Sequence, residues 1–157
     1  MELGGFDCGE PPLNDYLAHH ALDSQASHFA VTHVVVLAEQ VVGFVTLAAS
    51  QITAAEFGRS DKPRYPLPTL TVARLAIDRR FQGNAIGTAL LRFSFLEAIR
   101  MSDDFGCVGV RVTAKPDAVG FYERFGFVRV IPAGRPTSES RTIPMFLPLN
   151  QIVDAIR

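Results

Sequence analysis

Cysteine is scarce: Cys8 and Cys107 are the only two in 157 residues, and they lie far apart. Two cannot build a disulfide framework, and no Cys/His cluster has the spacing of zinc ligands. That usage fits a reducing cytoplasm. An excess of charge of one sign is missing too. The chain carries 15 basic and 16 acidic residues, net −1, so no positive field covers the whole surface. This argues against a global polyelectrolyte binder but leaves room for a local basic patch. Long apolar runs are absent. Val34 to Ala38 and Val41 to Ser50 are broken well short of the roughly 20 residues that span a bilayer. Met1-Glu2-Leu3-Gly4-Gly5 has neither the basic start nor the apolar core of a secretion signal, and no internal repeat or low-complexity tract is visible. What is present is a 48% hydrophobic content, enough for a core without staples and too much for disorder. The expectation is a soluble, cytoplasmic, single-domain protein over residues 1–157.

The order of elements follows from punctuation and periodicity. Pro11 and Pro12 suit the first turn of a helix, and Leu13, Tyr16, Leu17 and Ala21 recur at helical spacing. Asn14 and Asp15 put polar groups near its positive end, and it is expected to fade at Ser24 to Ser27. Phe29–Ala38 and Val41–Ser50 read as two strands of a hairpin joined tightly at Glu39-Gln40. Residues 51–68 read as a long loop of the functional or mobile kind, with a helical turn at Ala54 to Phe57. A strand from Leu70 to Ile77 then meets Asp78-Arg79-Arg80-Phe81-Gln82-Gly83-Asn84-Ala85-Ile86-Gly87. A deeply packed helix follows from Ile86 to Met101. Next come a strand (Cys107–Thr113), a short helix (Asp117–Phe125) closed by Gly126, a strand from Phe127 to Ile131, and a loop over 132–141. The chain closes on a strand from Thr142 to Leu149, whose prolines place it at a sheet edge, and a tail helix at Gln151 to Ile156. This is an α/β or α+β domain with a mixed sheet.

The chemistry sits where the strand Leu75-Ala76-Ile77 meets the turn Gly83-Asn84-Ala85-Ile86-Gly87-Thr88 and the helix after it. Small residues let the backbone approach a ligand. Unpaired N–H groups and the dipole of a helix start favour an anion, and together they make a pyrophosphate site. The string is neither a Walker loop nor the Rossmann fingerprint, and the two glycines alone fit an ordinary tight turn equally well.

The residues around them narrow the choice. Arg80-x-x-Gly83-x-Ala85 resembles the Arg/Gln-x-x-Gly-x-Gly/Ala signature of the GNAT acetyltransferase superfamily. Gln82 to Gly87 is similar to its frequent Gln-Gly-x-Gly-Ile-Gly form, with Ala85 in place of one glycine. Ala118-Val119-Gly120-Phe121-Tyr122-Glu123-Arg124-Phe125-Gly126-Phe127 resembles the closing Ala-x-x-Phe-Tyr-x-x-x-Gly-Phe motif. Order and spacing agree, and the likeness covers nearly the whole chain. A narrower resemblance begins at Phe6-Asp7-Cys8-Gly9-Glu10-Pro11-Pro12-Leu13-Asn14-Asp15-Tyr16-Leu17, supported by Val42-Gly43-Phe44 and Ala73-Arg74-Leu75-Ala76-Ile77-Asp78. It points to a branch found in bacterial toxin–antitoxin pairs, whose toxins acetylate the amino group of aminoacyl-tRNA and block translation. Two departures stand out. Only residues 1–5 precede Phe6, so the family's first strand is expected to be missing or truncated, and the charge is near neutral for a tRNA binder.

The resemblance implies a mixed, mostly antiparallel twisted sheet flanked by helices, acetyl-CoA as donor, no metal, and direct transfer to an amine. Leu75, Ala76 and Ile77 would bond the pantetheine arm like an added strand, with the Ile77 amide facing the thioester oxyanion. Arg80, Gln82, Gly83, Asn84, Ala85, Ile86, Gly87, Thr88 and Phe121 would hold the rest of the cofactor. Tyr122 would protonate the departing thiolate. A thiol near pKa 8.5 and a phenol near 10 make that transfer a matter of modest tuning. An α-amine titrates at about 7.7 to 8.0, so an aminoacyl ester needs little help from a base. Glu56 and Glu123 are possible helpers, read otherwise as solvated carboxylates.

Arg59, Lys62, Arg64, Arg74, Arg79, Arg80 and Arg92 are candidates for tRNA phosphates, though each taken alone reads better as a solvated charge, or for Arg80 as a cofactor contact. Arg74 differs, because a charge within a strand needs a reason. His19, His20, His28 and His33 form no metal motif, Cys107 reads as a core residue and Cys8 as part of a capping loop. An antitoxin is the implied partner, and dimers are common in the superfamily. The alternative readings are a GNAT enzyme for a small amine or protein N-terminus, and a non-catalytic acyl-CoA-binding module, against which an intact Tyr122 argues.

Overall fold

The computed structural model describes residues 3–58, 65–130 and 142–155. The loop read over 132–141 lies outside them, as do Arg59, Lys62 and Arg64. The described strands form one six-stranded sheet in the order β1-β2-β3-β4-β6-β5. β3 (Leu67–Ile77) and β4 (Gly109–Ala114) are sheet neighbours joined through helix α4 (Ile86–Asp104), the connection that a parallel pair requires. The sheet is therefore mixed and flanked by helices, as expected. The chain divides into two compact units, Met1–Ala48 with Val72–Ser94, and Ala49–Thr71 with Phe95–Arg157.

The first unit opens on a turn at Asp7–Gly9 and helix α1 (Pro11–His19), whose first turn is built on proline. The single helix that periodicity predicts is broken at His20 (φ −125°, ψ −24°), after which α2 (Ala21–Ala26) restarts it. Asn14 does not serve its own helix. Its Oδ1 accepts from the Cys8 N–H (2.9 Å) and its Nδ2 donates to Asp7 (3.0 Å).

β1 (Val31–Leu37) and β2 (Gln40–Ile52) pair antiparallel through a two-residue turn at Ala38-Glu39, one residue earlier than the sequence suggests. Both turn residues are left-handed (φ 50° and 67°). That matches the twist of a hairpin but costs about 1–2 kcal/mol for each residue carrying a Cβ. The register steps between Val35↔Gly43 and Val36↔Val41, which leaves Val42 without a partner on β1. Its carbonyl instead accepts the Asp78 N–H at 2.8 Å, so a bulge in β2 fixes the end of β3. Cys8, Tyr16, Leu17, Ala21, Val41, Phe44 and Ala76 form the core here, with Phe6 packed on Phe44.

The second unit holds α3 (Ala54–Phe57), β4, α5 (Val119–Glu123), β5 (Val128–Arg129), β6 (Ile143–Pro148) and α6 (Leu149–Ala155). α3 carries a full capping box between Thr53 and Glu56 and ends on left-handed Gly58. β4 and β6 pair antiparallel from Gly109↔Pro148 to Ala114↔Ile143. Gly109 is required there, since a Cβ would lie 2.3 Å from the Leu147 carbonyl oxygen. The edge position expected for the last strand is not what forms, because β6 lies between β4 and β5. Its prolines sit near the two ends, and β5 covers only Met145 and Phe146, so no central ladder N–H is lost.

Candidate active site

Asp78 ends β3 and starts a 3₁₀ turn, Arg79–Phe81, whose Arg80 N–H it caps at 2.9 Å. The Asp78 carboxylate is 1% exposed. Arg80 binds it through Nε (3.0 Å) and Nη2 (3.1 Å), and the Asp7 N–H donates to it at 3.2 Å. These bonds, the Arg80 guanidinium foremost, hold its pKa down at about 2 against the opposing effect of burial.

The chain then turns through Gly83 (φ 86°), where an added Cβ would meet nothing within 4 Å, and Ala85 (φ 62°). Ala85 occupies the place of a family glycine in the backbone conformation that glycine adopts most easily. Its carbonyl accepts the Ala89 N–H (3.0 Å), which makes it the cap of α4. The Asn84 side chain donates to the Phe81 carbonyl and closes the turn. The N–H groups of Ile86, Gly87 and Thr88 precede the first intrahelical bond. Among the described residues no group accepts from them, nor from the N–H groups of Gly83 and Asn84. The result is an open row of donors at the positive end of a 19-residue helix, which fits a pyrophosphate.

Sequence reading misses what brings this row into place. Gly43 lets the layers close up: a Cβ there would sit 3.1 Å from Ile77, 3.2 Å from Ile86 and 3.4 Å from the Ala76 carbonyl. A glycine inside an otherwise apolar strand is the available signal. Gln82 does not present its side chain to a ligand. Its Nε2 donates to the carbonyls of Ile77 (3.0 Å) and Cys8 (3.3 Å). Ala76 is buried in the core, with Leu75 and Ile77 half-buried on either side of it.

The basic candidates sort by partner. Arg79 is paired with Asp7 (2.5 Å) and Arg80 with Asp78. Gly9 and Asn14 bond the Asp7 carboxylate and, with Arg79, lower its pKa. Arg74 has its guanidinium 3.6 Å from the centre of the Tyr16 ring, which is the reason a charge is tolerated in that strand. Arg92 is exposed on α4 and has no ion pair among the described residues.

In the second unit, Tyr122 lies on α5 before the reversal at Gly126 (φ 98°). Its ring packs edge-on against Phe121 (5.1 Å) and Phe127 (5.4 Å), and Phe121 also meets Phe125 (5.4 Å). The residue is only 6% exposed. Among the described residues no group hydrogen-bonds the phenol and no buried side-chain oxygen lacks a partner, so the hydroxyl itself reaches the surface. Burial pushes its pKa up to about 12, which corrects the expectation of modest tuning: the phenol is a weaker acid than its free value suggests.

Glu56 is corrected as well. It is neither solvated nor available as a base. Burial alone would raise its pKa, but bonds from Arg111 (2.6 Å) and Thr53 outweigh that and lower it. Glu123 is exposed, and Cys8 and Cys107 are buried free thiols whose pKa values burial raises. Cys8 sits in the turn before α1, as expected, and its side chain is part of the core. Among the described residues no group of His, Cys, Asp and Glu is placed to hold a metal, and no helix is long and apolar enough to cross a membrane.

A strand feeding a left-handed turn and an open helix start, on a mixed sheet, defines an acyl-CoA-dependent transferase. A family model of the acetyltransferase (GNAT) domain matches residues 28–129, and the chain belongs to that family. Among known proteins, the tRNA-acetylating toxin of Mycobacterium tuberculosis is 33% identical over 130 residues, 80% of this chain and 78% of that one. The structure of AtaT complexed with acetyl-methionyl-tRNAfMet superposes with a TM-score of 0.85 at 27% identity, covering 99% of this chain and 92% of AtaT. A tyrosine-to-phenylalanine variant of AtaT, bound to the C-terminus of the antitoxin AtaR and acetyl-CoA, gives 0.78 at 27% identity over 96% and 88%.

Proposed function

We propose that this acetyltransferase moves the acetyl group of acetyl-CoA to the α-amino group of an aminoacyl-tRNA, and that it acts in the cytoplasm as a toxin restrained by a partner antitoxin. The observation that carries the donor half is the row of unclaimed N–H groups over Gly83–Thr88. The acceptor half and the partner are supported by the 33% identity to a tRNA-acetylating toxin and by the likeness to AtaT with acetylated tRNA and with AtaR.

Each residue has a stated task in this reading. Main-chain N–H groups from Gly83 to Thr88 take the pyrophosphate, while Leu75, Ala76 and Ile77 offer main-chain groups to the pantetheine. The Ile77 N–H donates to the thioester oxygen as negative charge gathers there. Phe121 adds apolar surface beside the cofactor, and Tyr122 gives its hydroxyl proton to the departing sulfur, while the proton that the nitrogen sheds on becoming an amide passes through water and restores the phenol. At about pKa 12 the phenol is fully protonated at neutral pH. The uphill transfer narrows because a thiolate formed in the same dry surroundings is also made more basic. No carboxylate is needed as a base, since an esterified α-amine is substantially neutral at cellular pH. Arg92 and Arg74 are the described cations assigned to tRNA phosphate, Arg74 from its seat on Tyr16. Arg59, Lys62 and Arg64 are assigned there on sequence alone.

The test is transfer of label from acetyl-CoA to bulk aminoacylated tRNA, with deacylated tRNA and free amino acids as controls. Label on charged tRNA only is the expected result. Acetyl-CoA binding with no label on tRNA would refute the acceptor assignment and move it to a small amine or a protein N-terminus.

A further inference from the structure

The turn Asp7–Gly9 has no task in that reaction, yet four of its polar groups bond the segment that leads into the donor loop. The Arg79 N–H donates to the Asp7 carbonyl (2.9 Å), and Arg79 Nη2 donates to Asp7 Oδ2 (2.5 Å). The Asp7 N–H donates to Asp78 (3.2 Å), and Gln82 Nε2 reaches the Cys8 carbonyl (3.3 Å). Asn14 closes the turn from α1, binding the Cys8 N–H (2.9 Å) and Asp7 Oδ1 (3.0 Å), an oxygen that also accepts from the Gly9 N–H (2.9 Å). The turn is itself anchored: Phe6 packs on Phe44 at 5.7 Å and Cys8 is part of the core.

We propose that this turn is a brace that presets the acetyl-CoA loop, with Asp7, Asn14 and Asp78 as positioning residues. It rests on Gly83–Thr88 being the pyrophosphate site. A row of main-chain donors binds an anion only when their directions converge, and the backbone from Arg79 to Ala85 has two left-handed residues and no ladder of its own to hold it. The brace grips this stretch at Arg79 and Gln82. A loop that is competent only part of the time binds more weakly in proportion to that fraction. The step after binding is untouched, because Ile77 and Tyr122 keep their tasks.

The test uses the full chain with Asp7→Asn and Asn14→Ala. The expected outcome is a roughly tenfold rise in the Kd for CoA and in the KM for acetyl-CoA, matching a fall of the competent fraction to about a tenth, with kcat at saturating acetyl-CoA within about twofold. Unchanged CoA affinity in the folded variants would overturn the brace. Wild-type protein supplies a second reading that needs no variant to fold. By reciprocity, saturating CoA must slow hydrogen exchange at the Asp7 and Cys8 amides, and unaltered exchange overturns the proposal. Gly83→Val separates the two layers of inference. If it leaves CoA affinity intact, the pyrophosphate assignment fails and the brace with it. If it abolishes affinity while the Asp7 and Asn14 variants do not weaken it, the brace alone fails.

Discussion

Replacing Asp78 with asparagine tests whether the end of β3 is held by a charge. The carboxylate is almost wholly buried and accepts four N–H bonds, three from Arg80 and one from Asp7. Its pKa falls from 3.8 to about 2. At 1.36 kcal/mol per unit, the charged form contributes about 2 kcal/mol to folding. Asparagine keeps one oxygen but turns an NH2 toward two donors, and leaving the Asp7 N–H unmet adds about 1–3 kcal/mol. Asp78→Asn should therefore cost about 3–5 kcal/mol at pH 7, or on the order of 10 °C in Tm for a chain this size.

The pH dependence has a definite sign. A folded pKa below the unfolded one means stability that is complete above about pH 5 and lost as pH falls from about 4 to 2. Asparagine cannot titrate. The gap between wild type and variant, measured by urea unfolding, should stay constant from pH 7 to 5 and shrink by about 2 kcal/mol toward pH 2. A gap independent of pH would refute the argument, because the loss would then come from packing alone.

Tyr122→Phe should lower kcat by about 10² to 10⁴ while isothermal titration shows CoA binding retained. With the phenol at about 12, the wild-type rate should rise with pH as the acceptor amine deprotonates and show no falling limb below about pH 10. Gly109→Ala should destabilise by about 1–3 kcal/mol in chemical denaturation, since the new methyl meets the Leu147 carbonyl, which a strand holds fixed. Ala85→Gly should do the reverse, raising stability by about 0.5–1 kcal/mol, because relief of a left-handed alanine exceeds the entropy a glycine adds to the unfolded chain.

Much of the fold is legible in the sequence. Periodicity and punctuation locate the hairpin, the strand into the donor loop, the long helix after it and the αL stop at Gly126, because each is a local matter of spacing and turn chemistry. The family strings locate the loop and Tyr122. What escapes depends on partners outside the element in which a residue sits. Spacing assigns Asn14 to its own helix, but its partners are Asp7 and Cys8. Glu56 reads as exposed because nothing nearby announces Arg111, 55 positions on. The prolines of the last strand point to an edge, because nothing in its own pattern says that the strand read from Phe127 to Ile131 pairs beyond it. The acidity of the phenol is misjudged because desolvation is set by Phe127 and the surrounding core rather than by Tyr122 itself.

The open row of N–H groups bears on how this gene can be inactivated. Those donors belong to the main chain, so truncating the side chains of Ile86 or Thr88 leaves each one where it was. Under selection against acetylation, substitutions at those positions should pass almost unseen. Escape should gather instead at the residues that bend or hold the backbone, Gly43, Asp78 and Gly83, and at Tyr122, whose proposed function lies in a single hydroxyl.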